Sequence, residues 1–220
     1  MNRPPLLIFD CDGVLIDSEA IACRVVAEEL ADWGLSYDAG AVADRFAGYT
    51  DAAIAKVVTA ETGVALPGDF PRRVQARALI AFETELQPLE GMAALLQADR
   101  GARCVASNAA QERLERALEI VGLSRFFEAG ACFSAEQVAR AKPAPDLHLH
   151  AAARMGFQPG EALVIEDSVT GVQAAAAAGI AVVGLLAASH IPDGQEAALR
   201  EAGARDVFAS AGELSEWLRA

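Results

Sequence analysis

Two carboxylates separated by one residue follow an apolar run near the start of the chain. Asp10 and Asp12 lie in the segment 9–17, which reads FDCDGVLID. In a locally extended chain, residues two apart point to the same side, so these acids repel each other unless a divalent hard cation lies near them. Gly13 permits a sharp turn directly afterwards. A lone DxD is a weak signal, whereas DxDGVLxD directly after an apolar strand is a strong one.

Polar side chains follow two later apolar runs in the same way. Ser107 and Asn108 precede a helix predicted to begin near Ala109. A hydroxyl beside free helix amides can bind an anion, although serine and asparagine are also ordinary helix caps. Glu166 and Asp167 end another run and are candidate ligands for the cation that Asp10 and Asp12 require. A helix cap is the alternative role for Asp167.

Lys142 is the candidate cation of this group. It is one of two lysines in a chain with sixteen arginines, and it begins a loop that reads KPAP. The prolines stiffen the backbone around a compact ammonium, which suits a fixed positive charge. The alternative is a solvated loop lysine, which is the common state of this residue type. Its company of acids favours a functional role.

The elements that must position these residues are short apolar runs without the alternation of half-exposed strands. They are Leu6–Phe9, Cys104–Ala106, Ala162–Ile165 and Ala181–Gly184, with a weaker fifth at Asp206–Phe208. From the second run onward they alternate with helical stretches. This alternation predicts an α/β fold with a doubly wound, Rossmann-like parallel sheet. Ligands of such sheets bind beyond the carboxyl ends of the strands, where the polar residues above would converge.

Residues 18–87 have a different pattern, with no convincing strand. Helices are predicted over 21–33, after a cap at Thr50, and over 72–86. The segment from Arg45 to Tyr49 is predicted to be a loop. We therefore expect an all-α domain, residues 18–87, inserted into a core made of residues 1–17 and 88–220.

Composition excludes several classes of protein. Hydrophobic residues make up 53% of the 220, enough for a sizeable core, and the formal net charge of −13 argues against nucleic acid and anionic membranes as partners. No run is long enough to span a membrane or to act as a signal peptide. Four widely spaced cysteines predict free thiols in a reducing cytoplasm. A monomer is the default expectation.

Four motifs follow one another along the chain: the acids Asp10 and Asp12, then Ser107, then Lys142, then the acids Glu166 and Asp167. In this order they resemble the motifs of the haloacid dehalogenase superfamily, in its branch of β-phosphoglucomutase-like proteins and sugar-phosphate phosphatases. The resemblance covers essentially the whole chain and includes a helical cap after the first motif. It implies that Asp10 is a nucleophile and that Asp12 is a general acid and base. It further implies that Ser107 and Lys142 hold the transferring phosphoryl group, and that Mg²⁺ is held by Asp10, the backbone carbonyl of Asp12, Glu166 and Asp167. Gly13 and Asn108 would lie against the substrate.

Within the superfamily, the second acid favours an enzyme that acts on phosphate esters, because dehalogenases and phosphonate-cleaving relatives typically lack Asp12. The mutases of this branch usually carry a cap histidine where this chain has Ala22, and a loop close to KGxSR where residues 47–51 read AGYTD. Asp51 therefore replaces the arginine that would grip a second phosphate. The sequence predicts a phosphatase for a small phosphorylated metabolite, such as a sugar phosphate, a sugar-acid phosphate or phosphoglycolate, with mutase activity as the alternative.

Two further expectations concern selectivity and rival functions. Arg45 and Tyr49 are candidate substrate-selecting residues, although Arg45 could equally be a solvated surface side chain. A receiver-type signalling domain, a non-enzymatic phospho-switch, also combines strand-end acids with Ser/Thr and Lys. Such domains are shorter and place the acid pair and the phosphoacceptor on different strands. An inactive scaffold is disfavoured because all the motif residues are intact.

Overall fold

The computed structural model describes residues 4–46, 49–189 and 191–220, and it divides into two compact units. The core unit contains the residues up to Asp17 together with Gln87–Ala220, and the helical unit contains Ser18–Leu86. The predicted division lay after residue 17 and after residue 87. Each unit has its own secondary structure and its own buried residues.

The core unit is built on one parallel sheet. Its six strands are β1 (Leu6–Phe9), β2 (Ala102–Ser107), β3 (Cys132–Ser134), β4 (Ala162–Glu166), β5 (Ala181–Leu185) and β6 (Val207–Phe208). The strand order is β3-β2-β1-β4-β5-β6, and every neighbouring pair is parallel. The order reverses direction at β1, which pairs with β2 on one side and with β4 on the other. The predicted doubly wound α/β sheet is confirmed.

Two strands differ most from the sequence prediction, while β4 and β5 end one residue later than predicted and β6 begins one residue later. β2 begins at Ala102, two residues before the predicted run, because the partly exposed Ala102 and Arg103 pair with β1 without contributing to the apolar pattern. β3 was missed. Its three residues include Ser134, so the strand is too short and too polar to stand out, and it is defined by its pairing with β2.

Six α-helices accompany the sheet in the part of the chain that the structure describes: α5 (Met92–Ala98), α6 (Gln111–Ile120), α7 (Asp146–Arg154), α8 (Val169–Ala177), α9 (Gln195–Ala202) and α10 (Ala211–Arg219). Successive residues of a strand point to opposite faces of a sheet, and all four residues of β1 are buried, so both faces of the sheet are covered. Leu6 and Ile8 pack in a cluster with Leu147 of α7 and Val172 of α8. All four cysteines are free. None of the described helices has the length and apolar character needed to cross a membrane.

The helical unit contains four helices, α1 (Glu19–Ala31), α2 (Ala39–Phe46), α3 (Asp51–Thr62) and α4 (Phe70–Glu85), and no strand among its described residues. Thr50 caps α3 as predicted, accepting a hydrogen bond from the Ala53 amide at 3.2 Å. The prediction that the first helix reaches Trp33 was wrong. α1 ends at Ala31, and Trp33 lies in the following turn with 37% of its surface exposed.

α2 was not predicted, and Arg45 lies in its last turn rather than in a loop. The helix forms because Val42, Ala43 and Phe46 make one buried face at helical spacing. The structure does not describe residues 47 and 48 of the predicted loop, and Tyr49 lies just beyond them, about half exposed.

A buried carboxylate links two helices of this unit. Glu29 interrupts the apolar face of α1, yet it is completely buried. Arg73 of α4 pairs with its Oε1, and the Nε of Arg77 lies 2.9 Å from its Oε2. Because a buried charge requires a partner, these two ion pairs make the burial of Glu29 possible and join α1 to α4.

Candidate active site

Asp10 lies at the point where β1 ends in the middle of the sheet. Its amide continues the ladder by donating to the Ile165 carbonyl at 3.0 Å. The chain then turns tightly, because the Cys11 carbonyl accepts hydrogen bonds from the amides of Leu15 and Ile16 at 2.8 and 3.1 Å. The turn leaves Asp10 largely buried and keeps the side chain of Asp12 about one third exposed. The two predicted acids therefore occupy different environments.

Gly13 allows another acid to approach this turn. Its φ of +77° lies in the left-handed region, and a Cβ built on it would stand 1.9 Å from Oδ2 of Asp167. A side chain at position 13 would therefore displace Asp167. The predicted role of Gly13 in the turn is accounted for by backbone conformation and by this contact, while a contact between Gly13 and substrate stays a prediction.

The ammonium of Lys142 lies at the centre of the site and is buried. Its Nζ donates to Oδ1 of Asp10 at 2.7 Å, to Oε1 of Glu166 at 2.6 Å and to the carbonyl of Ala106 at 2.7 Å. A lysine ammonium carries three hydrogen-bond donors, so these contacts use all of them. Lys142 thus ties together the ends of β1, β2 and β4.

The loop that carries Lys142 is held by a side chain from the end of β2. Oδ1 of Asn108 accepts a hydrogen bond from the Lys142 amide at 3.1 Å, and Nδ2 donates to the Lys142 carbonyl at 3.3 Å. Asn108 therefore forms hydrogen bonds with both backbone groups of Lys142 and fixes the loop against the sheet. Both polar atoms of its side chain have partners within the protein, and its predicted contact with substrate stays a prediction.

Glu166 is fully buried at the end of β4. One oxygen binds Lys142, and the other accepts hydrogen bonds from the hydroxyl and the amide of Ser168 at 2.9 and 3.3 Å. Gly171 provides the space for this carboxylate, because a Cβ at that position would lie 1.8 Å from Oε1 of Glu166. Neither Ser168 nor Gly171 was assigned a role from the sequence.

Ser168, and not Asp167, caps the helix that follows. Its hydroxyl accepts a hydrogen bond from the Gly171 amide at 3.1 Å at the start of α8. The alternative role of Asp167 as a helix cap is therefore wrong. Asp167 instead presents its carboxylate to the turn at Gly13, and its backbone carbonyl accepts a hydrogen bond from the Gln195 side chain at 2.6 Å.

Three carboxylates are arranged so that one ion could be bound by all of them. Asp10, Glu166 and Asp167 each offer an oxygen, and these atoms all lie within 4.8 Å of one another. Oxygen donors of this kind are the ligands that Mg²⁺ and Ca²⁺ prefer. The donor set therefore fits a hard divalent cation. The side chain of Asp12 is outside this group, and the role of its backbone carbonyl as a ligand stays a prediction.

Asp12 has a partner that the sequence analysis missed. Nη2 of Arg113, in the first turn of α6, lies 2.9 Å from Oδ1 of Asp12, and 26% of the Arg113 side chain is exposed. Arginine is the commonest basic residue of this chain, and position 113 belongs to no motif, so no sequence signal distinguished it.

Ser107 ends β2 and is almost completely buried. Its hydroxyl accepts a hydrogen bond from the Ala109 amide at 3.1 Å. α6 begins at Gln111, later than predicted, and its N-cap residue Ala110 offers no side-chain acceptor. Ser107 is therefore not a helix cap, and its hydroxyl lies in a short turn between the strand and the helix.

The buried charges shift one another's pKa values. Burial, reinforced by Glu166 and Asp12, raises the pKa of Asp10 to about 7 even though Lys142 opposes the shift. Burial would raise the pKa of Glu166 as well, but Lys142, together with hydrogen bonds from Lys142 and Ser168, holds it below its usual value. Burial acts to lower the pKa of Lys142, and the two carboxylates overcome this and raise it. Burial is thus the main cause of the raised pKa of Asp10, whereas Lys142 decides the direction of the shift at Glu166.

The structure brings together Asp10, Asp12, Lys142, Glu166 and Asp167, with Ser107 and Asn108 at the end of the neighbouring strand, all in the core unit. Arg45 and Tyr49 belong to the helical unit. Arg45 pairs there with Glu61 and lies 5.7 Å above the ring of Phe46. Their predicted contact with substrate remains a prediction.

An acid pair at a strand end, a buried lysine and a closing acid pair on a doubly wound sheet define a hydrolase of the haloacid dehalogenase type. The profile of the haloacid dehalogenase-like hydrolases matches residues 4–179. The chain belongs to this family, and the resemblance seen in the sequence is confirmed.

Named relatives and solved structures agree with this assignment. The chain is 32% identical over 191 residues to the 6-phosphogluconate phosphatase of Escherichia coli (strain K12), with 86% of each chain covered. It is 31% identical over 179 residues to the fructose-1-phosphate phosphatase of the same organism, with 80% of this chain and 94% of that relative covered. A haloacid dehalogenase-like protein of unknown function from Agrobacterium tumefaciens str. C58 is similar in structure, with a TM-score of 0.86, 34% identity and coverage of 98% and 97%. The structure of a hydrolase of the family from Deinococcus radiodurans R1, with bound phosphate and sodium, has a TM-score of 0.80 and 34% identity. It covers 97% of this chain and 94% of its own.

The raised pKa of Asp10 predicts that its negative charge lowers the free energy of unfolding, by an amount that depends on pH. The native protein without metal holds this proton to about pH 7, whereas the unfolded chain releases it near pH 3.8, so native stability falls as the pH rises between these values. Asp10→Asn removes this loss of stability, because asparagine carries no charge at any of these pH values. In urea unfolding with a chelator present, we expect the variant's gain in free energy of unfolding to grow by about 2 kcal/mol or more from pH 4.5 to pH 8. The exposed Asp193→Asn is the control, and a gain independent of pH would contradict the prediction.

Proposed function

We propose that the chain is a Mg²⁺-dependent phosphomonoester hydrolase that acts on a small phosphorylated metabolite through an aspartyl-phosphate intermediate on Asp10. The observation that carries the proposal is the contact of Lys142 with Asp10 at 2.7 Å inside a cluster of strand-end acids. The names of its relatives support the same class of reaction, since those proteins are phosphatases for phosphorylated sugars and a sugar acid.

Asp10 is the nucleophile of this proposal. Lys142 fixes the orientation of its carboxylate and offsets part of the repulsion between two anions, which otherwise makes a carboxylate a poor nucleophile towards a phosphate ester. An oxygen of Asp10 attacks phosphorus, and the bond between phosphorus and the ester oxygen breaks. Water then attacks the phosphorus of the aspartyl phosphate, which releases inorganic phosphate and regenerates Asp10.

Asp12 is the group that moves protons in both steps. In the first step it gives a proton to the departing ester oxygen, and in the second it accepts one from the attacking water. Its partial exposure suits both tasks, because the same carboxyl must meet an incoming ester and later a water molecule. Asp10, by contrast, is buried and held by Lys142, so the two acids have separate roles.

The metal ion would be held by Asp10, Glu166 and Asp167, with the Asp12 backbone carbonyl as a further ligand. When bound, Mg²⁺ supplies positive charge that lowers the repulsion between Asp10 and the phosphoryl group. The acids alone repel an anionic substrate, and Glu166 and Asp12 add to the effect of burial in raising the pKa of Asp10. Ser107 and Lys142 would hold the phosphoryl oxygens, with Gly13 and Asn108 lining the same place.

Hydrolysis is favoured over phosphomutase activity by two positions in the helical unit. Ala22 in α1 carries no group able to exchange a proton. Asp51 lies in the first turn of α3, and its negative side chain would repel a second phosphate instead of binding it. A non-catalytic phospho-switch is the remaining alternative, and intrinsic turnover of a phosphate ester would exclude it.

The direct test is phosphate release from a panel of phosphorylated sugars, sugar acids and small hydroxy acids. We expect Mg²⁺-dependent release that a chelator abolishes and that Asp10→Asn lowers by roughly 1,000-fold or more, because the nucleophile is lost. Asp193→Asn, which removes an exposed carboxyl, serves as the control and should match the wild type. Unchanged release in Asp10→Asn would contradict the proposal.

Arg45 and Tyr49 are proposed to influence which ester is preferred. If so, the double variant Arg45→Ala/Tyr49→Ala changes the order of kcat/KM values across the same panel, by about 10-fold for at least one substrate. Arg72→Ala, at an exposed position of α4, is the matched control from the same unit. An unchanged order of substrates in the double variant would show that these residues do not select the ester.

A further inference from the structure

Arg113 is a charged residue of the site to which neither the motifs nor the proposed reaction assigns a role. It lies in the first turn of α6, close after the turn that carries Ser107. Its Nη2 is 2.9 Å from Oδ1 of Asp12, and about a quarter of its side chain is exposed. The pair joins α6 to the turn after β1, so the guanidinium is positioned by two elements of the core unit.

The contact with Asp12 places Arg113 on one side of the reacting phosphorus. In the proposed reaction Asp12 exchanges a proton with the ester oxygen that leaves, so its carboxyl lies next to the leaving group. Lys142, in contrast, binds Asp10, on the side of the nucleophile. A guanidinium within hydrogen-bond distance of Asp12 is therefore close to the atoms that distinguish one alcohol leaving group from another.

The charge of the site makes such a cation valuable to one class of substrate. A leaving group that carries its own carboxylate meets the field of Asp10, Asp12, Glu166 and Asp167, and bound Mg²⁺ would be directed at the phosphoryl group. Lys142 is not available to a second anion, because it is buried beside Asp10 and in the proposed reaction serves the phosphoryl group. Arginine can bind carboxylates on separate edges of its planar guanidinium, so contact with Asp12 does not prevent contact with a substrate.

We propose that Arg113 is a specificity-determining residue that binds a carboxylate of the leaving group, so that the enzyme prefers phosphate esters of hydroxy acids to those of neutral alcohols. This inference rests on the proposed function and narrows its substrate class. It concerns the alcohol part of the substrate, whereas Asp10, Lys142 and the metal ligands concern the phosphoryl group common to all candidates.

The test compares esters that differ only in the carboxylate. Three such pairs are phosphoglycolate with 2-hydroxyethyl phosphate, 3-phosphoglycerate with glycerol 3-phosphate, and 6-phosphogluconate with glucitol 6-phosphate. For each pair the measured quantity is the ratio of kcat/KM for the acid to kcat/KM for the neutral ester. We expect the wild type to favour the acid in at least one pair, and Arg113→Gln to lower that ratio by about 10- to 100-fold, as for a lost charge-assisted hydrogen bond.

The ratio separates binding of a carboxylate from an effect on Asp12. If Arg113 only positions Asp12, Arg113→Gln lowers kcat/KM equally for both members of a pair and the ratio stays constant, which would overturn the inference. Arg113→Lys should keep part of the preference, because the positive charge remains. Arg116→Gln is the matched control. It lies on the same helix, pairs with Glu119 at 3.3 Å and should leave every ratio unchanged.

Failure of the inference and failure of the proposed function give different results. Release of phosphate from both members of every pair without preference for the acid would overturn the inference and leave the phosphatase intact. No release from any ester by the wild type would overturn the proposed function and the inference together, provided that the wild type and Arg113→Gln are both folded as judged by circular dichroism and thermal unfolding.

Discussion

The buried ammonium of Lys142 and the carboxylates of Asp10 and Glu166 form the interaction on which the site depends. The two distances of 2.7 and 2.6 Å join a loop to the ends of β1 and β4, and a third hydrogen bond to the Ala106 carbonyl adds β2. A charge buried in this way requires all its partners, since loss of one leaves another uncompensated. The parallel sheet is therefore tied together at the edge where the chemistry is proposed.

This arrangement also explains how an acidic protein can accept a phosphate ester. The formal net charge of −13 is unfavourable to anions in general, and the site itself gathers four carboxylates around Lys142 and Arg113. Burial is the main cause that raises the pKa of Asp10 to about 7, and the neighbouring carboxylates of Glu166 and Asp12 add to it. A bound divalent cation would offset the negative charge of these acids, so a site that repels the substrate without metal would accept it with metal.

Sequence patterns predicted the sheet and most of the site because strand-end residues are close in space whenever strands are parallel. Asp10, Ser107 and Glu166 could be grouped on that basis alone, whereas Lys142 was added for its Pro-rich loop and its company of acids. Local patterns could not reveal Arg113, whose contact with Asp12 spans 101 positions, nor Gly171, whose importance is the space it leaves for Glu166. β3 and α2 were missed for a different reason. They are short, and their definition comes from pairing and packing more than from their own composition.

The central claim is that Asp10 becomes phosphorylated during turnover, and trapping that species tests it most directly. Wild-type protein would be mixed rapidly with a ³²P-labelled substrate and Mg²⁺, quenched in acid, digested and analysed for the labelled peptide. The account predicts a transient label, released by hydroxylamine, on the peptide that contains Asp10, and no label in Asp10→Asn. Turnover without label on that peptide, or undiminished turnover by Asp10→Asn, would contradict it.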